Sequence, residues 1–475
     1  MIKGFGSFGF AEISCLCCAF LLATQLSLAN PFPDSEKVPR DENLHHVDGF
    51  PIGLSLLRSS NDKRLKAAGG KSVIRIDIAW SADESYQIEK VSIDKSGTSA
   101  LYNRSTTTPK QGSYVGVLRD ANTNVALAYD SIGTGRRYRK LARSIAFRFP
   151  NPNKSVILEL IAENPLSGKM EQVLRQRVDV DSTESEEVQF EHILLKEASH
   201  AQKLEVVIYA EGYKAGTKDK FWRDAQRVIQ ALTGSDFPGL DRMQISAVFS
   251  ESKLALGQPP SRPSPEVKER DSFLGLYYPH WDQFGRWYHV VYPTNEKKFR
   301  RRLALVPYDY PIVLINSSDY WGVGNYMSHT AVPSDSSQFS YLLRHELGHF
   351  FGLNEEYQDG GPTELEFAPD IYEPWSQNIT FLRSPLLGLL KWKAVVSPST
   401  PLPTPSRYWS RGVFGAYRGG YAESEVAGAH SHKPGLDCTM DRGRTFCEVC
   451  RHAIEEVIAD DIGPANLKPR ISSSF

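Results

Sequence analysis

His345, Glu346 and His349, within the pentapeptide His345-Glu346-Leu347-Gly348-His349, are the residues of this chain best spaced for chemistry. Two imidazoles one helical turn apart share a face and can grip one metal ion. A glutamate beside the first of them reaches a water on that ion and can take its proton. The pattern points to a zinc hydrolase site that cuts peptide bonds, with one catalytic Zn2+ ion as cofactor.

Such a pattern works only on a helix. Phe339, Leu343, Leu347, Phe350 and Phe351 recur at helical spacing and form an apolar stripe. The histidines lie off that stripe, so they need not serve as core filler. Gly352 stands where the helix should stop, because glycine takes a left-handed cap conformation readily, and a turn there throws the chain back toward the metal. In the metzincin spacing HExxHxxGxxH the third ligand follows that glycine by three residues. Here the position holds Glu355, with Glu356 the alternative if the turn differs by one residue and a glutamate on a later helix a further possibility. Downstream, Cys438-Thr439-Met440-Asp441 carries one of only five methionines, at the place of a Met-turn beneath the histidines.

Composition bounds the rest. The chain has 475 residues, enough for two domains plus extensions. Its 55 basic and 56 acidic residues nearly cancel, so no global field favours nucleic acid. The first 29 residues read as a cleavable signal peptide: Lys3, an apolar run from Ile13 to Leu22, and a small-residue site at Ser27-Leu28-Ala29. The apolar run is too short to span a bilayer, and no transmembrane segment is expected in the mature chain. A secreted or periplasmic location follows. Cys15, Cys17 and Cys18 would leave with the signal. In an oxidising compartment Cys438, Cys447 and Cys450 are disulfide candidates, with one thiol left over. The sharper alternative is a structural zinc held by these three and His452.

Residues 30–70 are polar and read as an arm or linker. Residues 71–190 look all-β: Val73 to Trp80, Ser144 to Phe149 and Val156 to Ile161 alternate with period two, and a β-sandwich is the natural architecture. Residues 200–465 alternate strands and helices, which suits an α/β (α+β) zincin-type catalytic domain with a twisted sheet over the active-site helix. The strand Pro311–Asn316 is a candidate sheet edge for pairing with an extended substrate.

The second half of the chain resembles the IgA-peptidase family of secreted bacterial zinc metallopeptidases. The resemblance rests on the strand Leu204–Ala210 leading into Gly212-Tyr213, a helix with Phe221, Ala225 and Leu232, and the strands Ile245–Ser250 and Pro311–Asn316. It continues through the loop Tyr320–Gly324, the HELGH helix with its Glu355-Glu356-Tyr357 ending, and the Cys438–Cys450 segment. The stretch Phe350–Tyr357 is a residue shorter than the family's, and Glu355 stands where an aspartate is common. The resemblance implies a protein or peptide substrate, with Glu346 as general base and His345, His349 and Glu355 as ligands. Tyr320 and Tyr357 are candidate oxyanion donors. A secreted β-sandwich binding or adhesion protein with a vestigial metal site is the competing reading. Oligomeric state is open at this point.

Overall fold

Period-two alternation builds the first layer. In β1 (Val73–Trp80) the side chains of Ile74, Ile76 and Ile78 share one face and are fully buried. The computed structural model describes residues 72–81, 85–94, 98, 101, 112–133, 144–164, 170–178, 182–183, 187–254, 271–277, 291–318, 322–357, 374, 376–382, 385–420 and 431–462. The expected signal peptide, its cysteines and the arm lie outside these residues. Among the described residues no helix is long and apolar enough to cross a membrane.

Seven further strands complete a β-rich region: β2 (Tyr86–Asp94), β3 (Tyr114–Asp120), β4 (Ala126–Ile132), β5 (Ser144–Pro150), β6 (Val156–Glu163), β7 (Met170–Val178) and β8 (Ser182–Thr183). They form two four-stranded sheets, ordered β5-β1-β2-β8 and β4-β3-β6-β7. Ile76, Phe147 and Phe149 from the first sheet meet Leu118, Leu158 and Leu160 from the second in one buried cluster. Two layers packed over a shared core agree with the alternation read from the sequence.

The second half is organised by a six-stranded sheet, ordered β15-β16-β14-β10-β11-β9. Its strands are β9 (Glu191–Lys196), β10 (Leu204–Glu211), β11 (Met243–Phe249), β14 (Tyr310–Ile315), β15 (Val323–Asn325) and β16 (His329–Pro333). Two short ribbons, β12 (Leu276–Tyr277) with β13 (Tyr292–Pro293) and β17 (Tyr417–Arg418) with β18 (His432–Lys433), lie outside it. The four inner strands β11, β10, β14 and β16 are mutually parallel, while β9 and β15 run antiparallel at the edges. Parallel strands are covered on both faces, and these are apolar on both. Val206, Ile208 and Ala210 face one cluster with α1 (Lys218–Thr233), α3 (Phe339–Phe350) and α4 (Glu448–Ile462). Val207 and Tyr209 face another with α2 (Glu296–Leu303).

One expectation is corrected here. The strand around Pro311–Asn316 is not an edge: β14 pairs with β10 on one side and β16 on the other. Its six residues are all buried, as its uninterrupted apolar run requires. The edge beside the helix that carries His345 and His349 is β15, which pairs with β16 alone among the described strands.

Buried polar contacts tie the β-rich region to the second half. Arg300 of α2 donates from Nη1 to Asp77 Oδ1 of β1 at 2.8 Å and to Ser144 Oγ at 3.0 Å. Arg148 of β5 donates to the Tyr308 carbonyl at 3.0 Å and covers the Tyr308 ring.

Candidate metal centre

Helix α3 places the histidines. Phe339, Leu342, Leu343, Leu347 and Phe350 bury one side of it against the sheet and the neighbouring helices. Each buried leucine or phenylalanine contributes about 1.5–3 kcal/mol, so the helix has little freedom to rotate. It ends as the sequence suggested. Gly352 adopts φ +87°, its N–H donates to the His349 carbonyl, and Leu353 N–H donates to the Gly348 carbonyl, both at 2.9 Å. That paired capping pattern reverses the chain into residues 353–357.

His345 is buried, and His349 is largely so. His345 Nδ1 donates to the Thr439 carbonyl at 3.1 Å, with the Tyr341 hydroxyl at 3.4 Å. His349 Nδ1 donates to the Leu353 carbonyl at 2.8 Å. A carbonyl can only accept, so both Nδ1 atoms carry protons and both Nε2 atoms present lone pairs. Those two Nε2 atoms lie 3.2 Å apart. Nitrogens about 2.0–2.1 Å from a tetrahedral zinc would sit roughly 3.3 Å apart. A shared proton is a poor substitute, because burial and the neighbouring His349 hold His345 down at about 4. The donor set fits a divalent cation.

Two carboxylates adjoin it. Glu355 Oε1 lies 3.7 Å from His349 Nε2. Glu346 is buried; burial pushes its carboxyl up to about 7, His349 opposes that rise and Glu355 adds to it. The Gly324 N–H of β15 faces the Glu346 carboxylate and favours its charged form. Gly324 also packs so close that a Cβ there would overlap the Glu346 carbonyl oxygen. The Tyr357 ring stacks on His345 at 5.8 Å between centroids, under the Arg442 guanidinium. Tyr320 lies outside the described residues.

The turn Thr439–Asp441 runs beneath the helix. Met440 is fully buried, and a Cβ on Gly348 would overlap its sulfur. The Met440 carbonyl accepts from Glu356 N–H at 2.8 Å. Glycine between the two histidines is therefore a packing requirement, which the motif alone does not reveal.

Glu356 goes elsewhere. Its carboxylate is fully buried and accepts at Oε1 from Asn378 Nδ2 at 3.0 Å and from Cys450 Sγ at 3.1 Å. The disulfide candidates Cys438, Cys447 and Cys450 stand as free thiols in this structure. Their sulfurs and a Glu356 oxygen lie within 4.8 Å of one another. His452, the fourth member of the alternative set, points outward to Glu456 at 3.5 Å and takes no part.

Sequence reasoning missed Gly324, Asn378 and the Thr439 carbonyl. A backbone carbonyl carries no sequence signal, and Asn378 stands 22 residues from its partner. The Gly322-Val323-Gly324 pair of glycines was the one available hint.

Residues 193–411 match the family model described as IgA Peptidase M64. The match spans the six-stranded sheet from Ile193 onward, helix α3 and both glutamates, and it bears out the resemblance to the IgA-peptidase family. The turn at Met440 and the three cysteines lie beyond the matched residues. No curated protein matches the chain.

Proposed function

Proceeding from that family match, we propose that the chain is an exported zinc-dependent endopeptidase that hydrolyses peptide bonds of proteins. In this reading His345, His349 and Glu355 hold one catalytic ion and leave a position open for water. The observation that carries it is the facing pair of imidazole lone pairs, 3.2 Å apart, each set by a carbonyl behind the ring. Two lone pairs that close repel unless a cation lies between them.

When bound, zinc supplies Lewis acidity that brings the pKa of water toward neutrality and polarises the scissile carbonyl. The chain's own residues do the rest. Glu346 takes the proton that the attacking water loses and returns it to the departing amine nitrogen. A carboxyl raised to about 7 is suited to both roles near neutral pH. The Gly324 N–H holds that carboxylate toward the site from β15. The Tyr357 hydroxyl is the donor for the developing oxyanion. An extended substrate adds to the open edge of β15 through main-chain hydrogen bonds. Met440 serves as the Met-turn, a support under the histidines, and the second half as a whole takes the zincin-type role. Export rests on the first 29 residues as read from the sequence.

The test is metal content and cleavage of a proteome-derived peptide library by wild type and by Glu346→Gln. Zinc in both, with turnover lowered by about 10²–10⁴-fold in the variant, is the expected result. Undiminished cleavage by Glu346→Gln removes the general-base role. Zinc in both without cleavage in either returns the argument to the binding-protein reading.

A further inference from the structure

The proposed reaction leaves the second cluster unused. Glu356, Cys438 and Cys450 are buried and Cys447 is partly exposed, and no step of hydrolysis calls for any of them. We propose that Glu356, Cys438, Cys447 and Cys450 form a second, closed metal site that binds one zinc ion and has a structural role.

The donor atoms carry the argument. All four lie within 4.8 Å of one another. A tetrahedral zinc with sulfurs at about 2.3 Å and an oxygen at about 2.0–2.2 Å needs donor separations of roughly 3.5–3.8 Å. The cluster therefore needs only small side-chain adjustments to reach coordination geometry: Cys450 Sγ and Glu356 Oε1, now 3.1 Å apart, would separate slightly as the widest pairs close in. Three thiolates and a carboxylate make a four-donor set with no position left for water. That is the mark of a structural rather than a catalytic site.

A second observation is independent of those separations. Glu356 Oε2 is buried without a hydrogen-bond partner, on a side chain that is fully inaccessible. An orphan carboxylate oxygen in a protein interior is costly, and a bound cation relieves it. A disulfide would not, since it consumes two sulfurs and leaves the third thiol and the carboxyl buried together.

The surroundings suit an ion. Asn378 Nδ2 donates to Glu356 Oε1 and Cys447 N–H donates to Cys438 Sγ at 3.4 Å, the kind of outer contact that orients ligands. Cys447 and Cys450 form a C-x-x-C pair at the start of α4, where the helix dipole favours thiolates. On binding, each cysteine gives its thiol proton to solvent as its sulfur bonds the ion, and no electron changes hands.

The site joins the reversal after α3 to the turn at Met440 and the adjoining start of α4, with 94 residues of chain between Glu356 and Cys450. Glu355 and Tyr357 flank Glu356. An ion at this site would therefore hold both neighbours, and the turn beneath His345, in place.

Zinc and thiols are counted on the full chain purified without reductant. Wild type is expected to hold two ions, and a His345→Ala/His349→Ala variant one. Alkylation and peptide mapping should find Cys438, Cys447 and Cys450 all as thiols. Exchange of zinc for Co2+ should give a near-ultraviolet thiolate-to-cobalt band that Cys447→Ser and Glu356→Gln weaken or shift. The histidine site contains no sulfur, so that band reports on this cluster alone, and it does so in wild type even where a variant fails to fold. A disulfide between any two of the three cysteines, or cobalt bound without the band, overturns the proposal. The band with only one ion per chain upholds it while overturning the catalytic zinc.

Discussion

Glu355 and Glu356 are neighbours in sequence whose carboxylates serve different clusters: Glu355 Oε1 lies 3.7 Å from His349 Nε2, and Glu356 Oε1 lies 3.1 Å from Cys450 Sγ. Substitution should therefore separate two properties. Glu355→Gln is expected to weaken metal binding at the histidines by at least about tenfold and to lower cleavage with little change in melting temperature. Glu356→Gln should lower the melting temperature first. Metal titration and calorimetry on the two variants check this, and identical effects from both would contradict the division.

Gly348 touches Met440 where a methyl group has no room. Gly348→Ala raises helix propensity but overfills this contact. A net loss of about 1–3 kcal/mol in stability is expected, together with reduced cleavage as the turn under His345 is displaced. Met440→Leu conserves volume and should cost less than about 1.5 kcal/mol. Denaturant unfolding compares them, and a more stable Gly348→Ala protein would show that the turn yields freely.

The Arg300–Asp77 pair joins the β-rich region to α2 through a contact that is almost wholly dry. Removing Arg300 leaves the buried Asp77 carboxylate with Arg75 Nε alone, at a longer 3.5 Å. Arg300→Met is expected to destabilise the protein by about 3–5 kcal/mol, and Asp77→Asn/Arg300→Met by less than Arg300→Met alone. A double-mutant cycle in urea measures the difference.

His329 on β16 is fully buried against Phe299, with its ring hydrogen-bonded to Ser328. Burial, with a smaller push from the Arg300 charge, holds its pKa down to about 4 from the usual 6.5. The folded state thus binds fewer protons than the unfolded state between those values. Stability from the neutral ring is present above about pH 6.5 and is lost as pH falls toward about 4, to a limit of roughly 3 kcal/mol. His329→Gln cannot titrate, so the wild-type-minus-variant stability should fall across this window and be level above it. A flat difference would mean that His329 protonates without penalty.

Local patterns were legible in the sequence because they depend on neighbours along the chain. The spacing of His345, Glu346 and His349 defines a shared helix face whatever the fold around it. Gly352 marks the cap because only its own dihedral angle is at issue, and β1 announces its buried face through period two. Tertiary structure decided what depends on distant partners. Whether β14 is an edge rests on β10 and β16, and its apolar residues would look the same in either case. Glu355 and Glu356 are one residue type side by side, distinguished only by what lies opposite. Glu356 meets Cys450 across 94 residues of chain. Cys447 and Cys450 recur at a spacing that suits a metal, but spacing cannot report that Glu356, beyond the end of the helix carrying the histidines, comes to lie beside them. Helix and strand periods are written in backbone geometry, whereas the partners of a buried carboxylate are chosen by packing.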